Sequence, residues 1–366
     1  MKLIYDARPI ALQYTGLGRY TASLLLALLD SPRRADLTID VLIDRGCDPN
    51  GMHYRALQRY LELGACRLHA VDAPPISFRQ HVSVPRWVNR QGADRYFYPH
   101  FDMPLGIKIP SAFVVHDLIP LLVDGYVQSL GFAKKLYFRQ MLRHHVARAQ
   151  ACYAVSATTR QDILEQVGER WAGKVRVAYE GPVLTDAGGD IEPPLLNPPY
   201  LLYVGDRRPH KHLRRIVDIF KLLRDRHGYQ GRLALAGSRR NFDFDLDAYI
   251  ADRADIRVLG NVSDAELLAL YAHTDALMFL SAYEGFGLPV VEAARFHRKI
   301  VVSDGGSLPE ITPPGACQIP CSLATDAAAE QIAAYLADRT QPELSDYNRR
   351  YTWRRAVEAI FPEALA

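Results

Sequence analysis

Ser281-Ala282-Tyr283-Glu284-Gly285-Phe286-Gly287-Leu288-Pro289-Val290-Val291-Glu292 is the stretch whose reading settles the fold. The apolar run Ala276-Leu277-Met278-Phe279-Leu280 leads into it and reads as a buried parallel strand. Pro289 suits the first turn of a helix, where its missing N–H costs nothing. The pattern predicts strand, glycine turn and helix N-terminus, with Glu284 before the turn and Glu292 in the helix's first turn. Unpaired N–H groups and the positive end of a helix dipole make such a place an anion site. Carboxylates accept hydrogen bonds from hydroxyls, so the site suits a phosphorylated, hydroxyl-rich ligand. Ordinary α/β architecture also yields strand–turn–helix units with a dipole-favoured glutamate. The Gly-Phe-Gly turn beside a proline is what that plainer reading leaves over.

Apolar strands of the same kind alternate with amphipathic helices along the whole chain. They are predicted near 2–6, 37–43, 66–71, 94–98, 112–116, 151–155 and 174–179, then near 200–204, 232–236, 256–259, 275–280 and 299–303. Strand–helix alternation implies right-handed crossovers and parallel sheets covered on both faces. Gly188-Gly189, Pro193-Pro194 and Pro198-Pro199 mark a linker. The expected architecture is α/β: two doubly wound, Rossmann-like domains facing across a cleft. The first spans 1–181, a linker 182–199 follows, and the second spans 200–345. A helix over 346–366 packs back toward the first, with Trp353 as core. Sheets of this class bind ligands beyond the C-terminal ends of their strands.

Composition narrows the function classes. The 366 residues suffice for two domains, and 49% apolar with 23% charged residues is ordinary for a soluble globular protein. A net charge of +3 is too weak to argue for nucleic acid. Cys47, Cys66, Cys152, Cys317 and Cys321 are scattered, and only the last two are close, so no zinc site assembles from spacing. A reduced, cytoplasmic location fits this usage. The strand Lys2-Leu3-Ile4-Tyr5-Asp6 starts the chain without a secretory signal, and no apolar run is long enough to span a bilayer.

Other segments carry chemistry. Gly205-Asp206-Arg207-Arg208-Pro209-His210-Lys211 links a strand to a helix beginning near His212, and its cations suit a diphosphate. A solvated basic loop is the plainer account, and Arg214 and Arg215 belong to it. Thr15-Gly16-Leu17-Gly18-Arg19-Tyr20 lets backbone approach a phosphate at Gly16 and Gly18 but lacks the third glycine of a dinucleotide fingerprint. His116 ends the strand Ala112-Phe113-Val114-Val115, an end that faces ligand in this architecture. Ser303-Asp304-Gly305-Gly306-Ser307-Leu308-Pro309-Glu310 is a further glycine turn after a strand. Lys135, Arg139 and Arg143 recur on a basic helix over 134–148, which either lies on anionic lipid or presents a solvated face.

Taken together, these motifs resemble the large family of retaining GT-B glycosyltransferases that includes bacterial mannosyl- and glucosyltransferases. The resemblance runs from Gly16-Leu17-Gly18-Arg19-Tyr20 through His116-Asp117-Leu118-Ile119-Pro120 and Val155-Ser156-Ala157-Thr158-Thr159. It continues through Tyr203-Val204-Gly205, Pro209-His210-Lys211, Glu284 to Glu292, and Ser307-Leu308-Pro309-Glu310. It implies transfer of a hexose, mannose from GDP-mannose favoured, to a hydroxyl of a glycan or lipid-linked glycan in bacterial polysaccharide assembly. A UDP-sugar donor or a nucleotide-sugar epimerase are the alternatives. By the resemblance, Glu292 holds the donor ribose, and Glu284 contacts the sugar near the N–H groups of Phe286, Gly287 and Leu288 after Gly285. Lys211 with Arg207 or Arg208 neutralises the diphosphate; the family's arginine often directly follows the loop glycine, where this chain has Asp206. Gly16 and Gly18 approach the phosphates, and His116 lies beside the sugar. No metal is expected, because Asp243-Phe244-Asp245 and Asp245-Leu246-Asp247 read as a helix cap. No protein nucleophile is implied; a leaving phosphate oxygen takes the acceptor proton. Peripheral membrane contact through 134–148 remains an expectation.

Overall fold

Among the described residues, thirteen strands and the helices between them form the framework of the protein, whose structure is a computed structural model. It describes residues 1–12, 15–32, 36–123, 132–182, 195–238, 245–338 and 340–362. Most of the expected linker, residues 183–194, and Asp243 and Phe244 lie outside these. The described residues fall into two compact units. One comprises Met1–Leu121, Leu130–Val183 and Thr352–Ala366; the other comprises Leu122–Ser129 and Leu184–Tyr351.

The first unit is a seven-stranded sheet with β1 (Lys2–Asp6), β2 (Thr38–Asp44), β3 (Arg67–Val71), β4 (Arg95–Tyr98), β5 (Ser111–Val115), β6 (Ala151–Ala154) and β7 (Val175–Val177). Their order is β3-β2-β1-β4-β5-β6-β7, and every pairing is parallel. Strands covered on both faces read as unbroken apolar runs, and Tyr96, Phe97 and Tyr98 are all fully buried. The order reverses between β1 and β4, and the loops after these two strands flank that switch point.

The second unit holds six strands, β8 (Tyr200–Val204), β9 (Arg232–Ala236), β10 (Ile256–Gly260), β11 (Ala276–Phe279), β12 (Lys299–Ser303) and β13 (Cys317–Ile319). Their order is β10-β9-β8-β11-β12-β13, again all parallel, with the switch point between β8 and β11. One core cluster joins Leu201, Met278 and Val301 of the strands to Ile216 and Phe220 of the helix Leu213–Asp225. β13 was not expected from the sequence.

The expected single helix over 346–366 is corrected. A short helix, Ser345–Arg350, belongs to the second unit, and a separate one, Trp353–Ile360, to the first. Thr352 breaks them: its backbone is extended, and its side chain accepts from the Arg355 N–H to start the new helix. Trp353 is buried, donates its indole N–H to the Pro182 carbonyl at 2.8 Å, and meets the Tyr20 ring edge-on. Among the described residues no helix is long and apolar enough to cross a membrane.

Candidate functional site

In the second unit the loops after β8 and β11 meet at the switch point. After β8, Pro209–Lys211 forms a tight turn, and His212 takes a left-handed φ of 48° before the helix Leu213–Asp225 begins. That kink delivers Lys211 to Glu284, which follows β11: Nζ lies 2.5 Å from Oε1 and 5.1 Å from the centre of the Phe279 ring. The pair is mostly out of water, with side-chain exposures of 16% and 11%. Attraction is stronger in such a place, and so is the cost of leaving either charge alone. Burial and the Lys211 charge next to it push the His210 imidazole down to about 3, so it is neutral.

Both candidate arginines stand in the same loop but in different surroundings. Arg207 is buried, with Nη2 3.4 Å from the Asp247 carboxylate beyond β9. Arg208 is more exposed and pairs with its neighbour Asp206 at 3.0 Å. Arg215, read as a solvated cation, instead donates to the carbonyls of Cys321, Pro320 and Leu323. Asp245 accepts from the Ala248 N–H as a helix cap, and no cluster of three metal-ligating side chains occurs among the described residues.

The Gly285-Phe286-Gly287 turn is braced from below. Gly287 has φ 110°, and a Cβ there would strike the Ile311 side chain at 2.8 Å. The Gly305-Gly306 turn abuts it: a Cβ on Gly306 would lie 2.4 Å from the Glu284 carbonyl oxygen. Ser307 donates its N–H to that carbonyl at 3.0 Å and its hydroxyl to the Phe286 carbonyl at 2.7 Å. The 303–310 segment thus holds the turn. The helix that follows is Leu288–Arg295, with Pro289 in its first turn, where N–H groups have no intrahelical partner.

Two expectations need correction. Glu292 is the fifth residue of this helix and lies past its first turn, because the helix starts only after Gly287. It is buried, and its carboxylate accepts from the Tyr271 hydroxyl at 2.8 Å. Gly16 and Gly18 are not in an open loop but in the first turn of the helix Gly16–Leu29. The Gly18 N–H is taken by the Thr15 side chain at 3.1 Å, and a Cβ there would meet the Leu12 carbonyl at 2.4 Å. Gly18 therefore serves close packing, whereas the Cβ position of Gly16 is open.

His116, in the first unit, has both ring nitrogens engaged. Nδ1 lies 3.0 Å from the Glu180 carboxylate and Nε2 2.9 Å from the Pro99 carbonyl, and Tyr20 packs edge-on at 4.4 Å. Burial opposes protonation, but the hydrogen bond and charge of Glu180 outweigh it and raise the imidazole above its ordinary value. Two acceptors and two ring nitrogens describe an imidazolium held by a carboxylate. Glu180, Tyr271 and Asp247 are site neighbours that sequence reasoning missed; each lies far along the chain from the residue it touches.

Residues 191–352 match the family described as Glycosyl transferases group 1. The chain carries a group 1 glycosyltransferase domain. It is a glycosyltransferase, with the two parallel-sheet, Rossmann-like units of the GT-B fold. Among curated relatives, it is 24% identical over 333 residues to O-antigen chain mannosyltransferase B of Escherichia coli, covering 85% of this chain and 84% of that one. O-antigen chain mannosyltransferase RfbU of Salmonella typhimurium is 28% identical over 209 residues, 56% of this chain and 55% of the other. In structure, sucrose-phosphate synthase of Thermosynechococcus elongatus aligns over 99% of this chain and 95% of its own with a TM-score of 0.70 at 17% identity, a likeness of fold.

Proposed function

We propose that this glycosyltransferase moves a hexose, mannose from GDP-mannose, to a hydroxyl of a glycan acceptor in O-antigen-type polysaccharide assembly, with retention of anomeric configuration. The observation that carries it is the Lys211–Glu284 pair at the switch point of the second unit, beside the N-terminus of the helix Leu288–Arg295. The relatives named as mannosyltransferases support the sugar and the acceptor class.

In this reading the bond from the anomeric carbon to the diphosphate oxygen breaks, and its electron pair stays on the phosphate. Lys211, an arginine of 207–208 and the amides around Gly287 and Leu288 stabilise that charge as it grows. Glu284, released from Lys211 by the diphosphate, accepts from sugar hydroxyls, and Glu292 accepts from the ribose. The acceptor oxygen bonds to the same face of the sugar and passes its proton to a leaving phosphate oxygen. The reaction needs no metal: transfer is expected to persist in excess chelator, and its abolition there refutes this part. Leu136 and Tyr137 are exposed beside Lys135 on the helix Phe132–Arg148, although Arg139 and Arg143 donate to Gln166. Peripheral contact with anionic lipid through this helix belongs to the same proposal.

A thermal-shift screen of nucleoside diphosphates and their sugars tests the assignment, since ligand bound to the folded state raises its melting temperature. GDP and GDP-mannose are expected to give the largest shifts. A response to UDP-sugars alone replaces the donor, and product formed without any acceptor points to an epimerase.

A further inference from the structure

We propose that His100, held by Asp102, is the hydroxyl-recognising element for the sugar acceptor at the switch point of the first unit. The proposal deepens the glycosyltransfer reading and rests on it.

His100 and Asp102 lie just beyond β4, one of the two strands that bound the switch point, the crevice where open α/β sheets take ligands. His100 Nδ1 is hydrogen-bonded to an oxygen of Asp102. Asp102 is fixed from behind, accepting from the Gln80 amide at 2.9 Å on its other oxygen. Burial favours the neutral acid there, but the charge and hydrogen bond of His100 and the Gln80 donor outweigh it and keep Asp102 below its usual range. A carboxylate only accepts, so the imidazole proton is drawn to Nδ1 and Nε2 becomes the free end. Nε2 has no partner among the described residues and is not a buried atom.

The surroundings select the ligand class. Two cations of this unit already share their charge: Arg8 is fully buried in a two-pronged contact with Asp6, and His116 is paired with Glu180. His100 also packs against Phe101, at 4.6 Å between ring centres, and its ring is inclined at 27° to that of His116, 6.3 Å away. An imidazole nitrogen beside an aromatic ring suits a neutral sugar, whose hydroxyls need hydrogen-bond partners and whose C–H faces need apolar cover.

His100→Asn keeps a donor for Asp102 and removes the outward nitrogen, so it isolates the claim. With GDP-mannose as donor and octyl α-mannoside as acceptor probe, we expect the acceptor KM to rise roughly three- to tenfold. The donor KM and the GDP melting shift should not change. His100→Gln, which places an amide near the Nε2 position, should restore part of the affinity. Asp102→Asn, which can turn the imidazole over, should behave like His100→Asn. NMR of the wild-type His100 ring should show the probe moving its signals. Equal acceptor KM in wild type and His100→Asn, or His100 signals indifferent to the probe, overturns the proposal. Loss of GDP binding in the wild type overturns instead the donor assignment beneath it.

Discussion

Lys211 carries the electrostatic demand of the proposed reaction, because leaving-group charge is larger in the transition state than in the bound donor. Lys211→Ala should lower kcat roughly 100-fold while donor affinity falls far less; steady-state kinetics beside calorimetry separates the two. His145 makes a different kind of prediction. Burial, then the His144 charge, pushes its imidazole down to about 4, so it is neutral in the folded state and protonates readily when unfolded. A depressed histidine contributes stability above its unfolded value of about 6.5, and loses it as pH falls toward 4. Between pH 7 and 5 that loss is on the order of 2 kcal/mol. In urea melts at the two pH values, His145→Leu should show a visibly shallower pH dependence than wild type. The residue identities of the candidate site could be read from sequence where a side chain follows directly on an apolar strand, as with His116 after β5. Their partners could not. Glu180 and Pro99 occupy His116 from 64 and 17 residues away, and nothing in local spacing announces such a contact. His100 obeys the rule that singled out His116, a polar residue just beyond a buried strand, yet its value depends on Asp102 and Gln80 around it.

Among the elements, the parallel strands could be read with most success because burial on both faces leaves an unbroken apolar run. β13 escaped: Cys317-Gln318-Ile319 is three residues with a polar centre, too short for any period to show. The glycine-rich turns were visible as turns, but their use was not. Gly18 and Gly306 are small because backbone carbonyls of Leu12 and Glu284 occupy the space of a side chain, and that is a matter of tertiary approach. Gly306→Ala tests this. Its φ of 60° and the 2.4 Å approach to the Glu284 oxygen leave no room, so the Glu284 turn must shift. We expect a cost of about 1–3 kcal/mol and at least a tenfold loss of kcat/KM. Gly315→Ala is the control: its φ of 76° carries similar strain with open space around it, so stability should fall while activity holds.

For the molecule as a whole, two doubly wound units were apparent from strand–helix alternation, but the path of the last 20 or so residues was not. The apolar positions Tyr351, Trp353, Ala356, Val357 and Ile360 fit one helical stripe, and two extended residues, Tyr351 and Thr352, divide it between units. Trp353→Ala removes a buried indole packed against Tyr20 and Gly181, and should destabilise the first unit by about 3–5 kcal/mol. Differential scanning calorimetry should show the transition of that unit moving to lower temperature while the other stays in place. The segment also sets an order of events during synthesis. Chains usually fold from the front as they emerge. Here the unit that starts first lacks its closing helix until residues beyond 352 have been made, so the interior unit, complete by Tyr351, is free to finish ahead of it. Until then the ring of Tyr20 and the aromatic neighbours of Phe361 stand uncovered, a sticky interval that a chaperone would be expected to bridge.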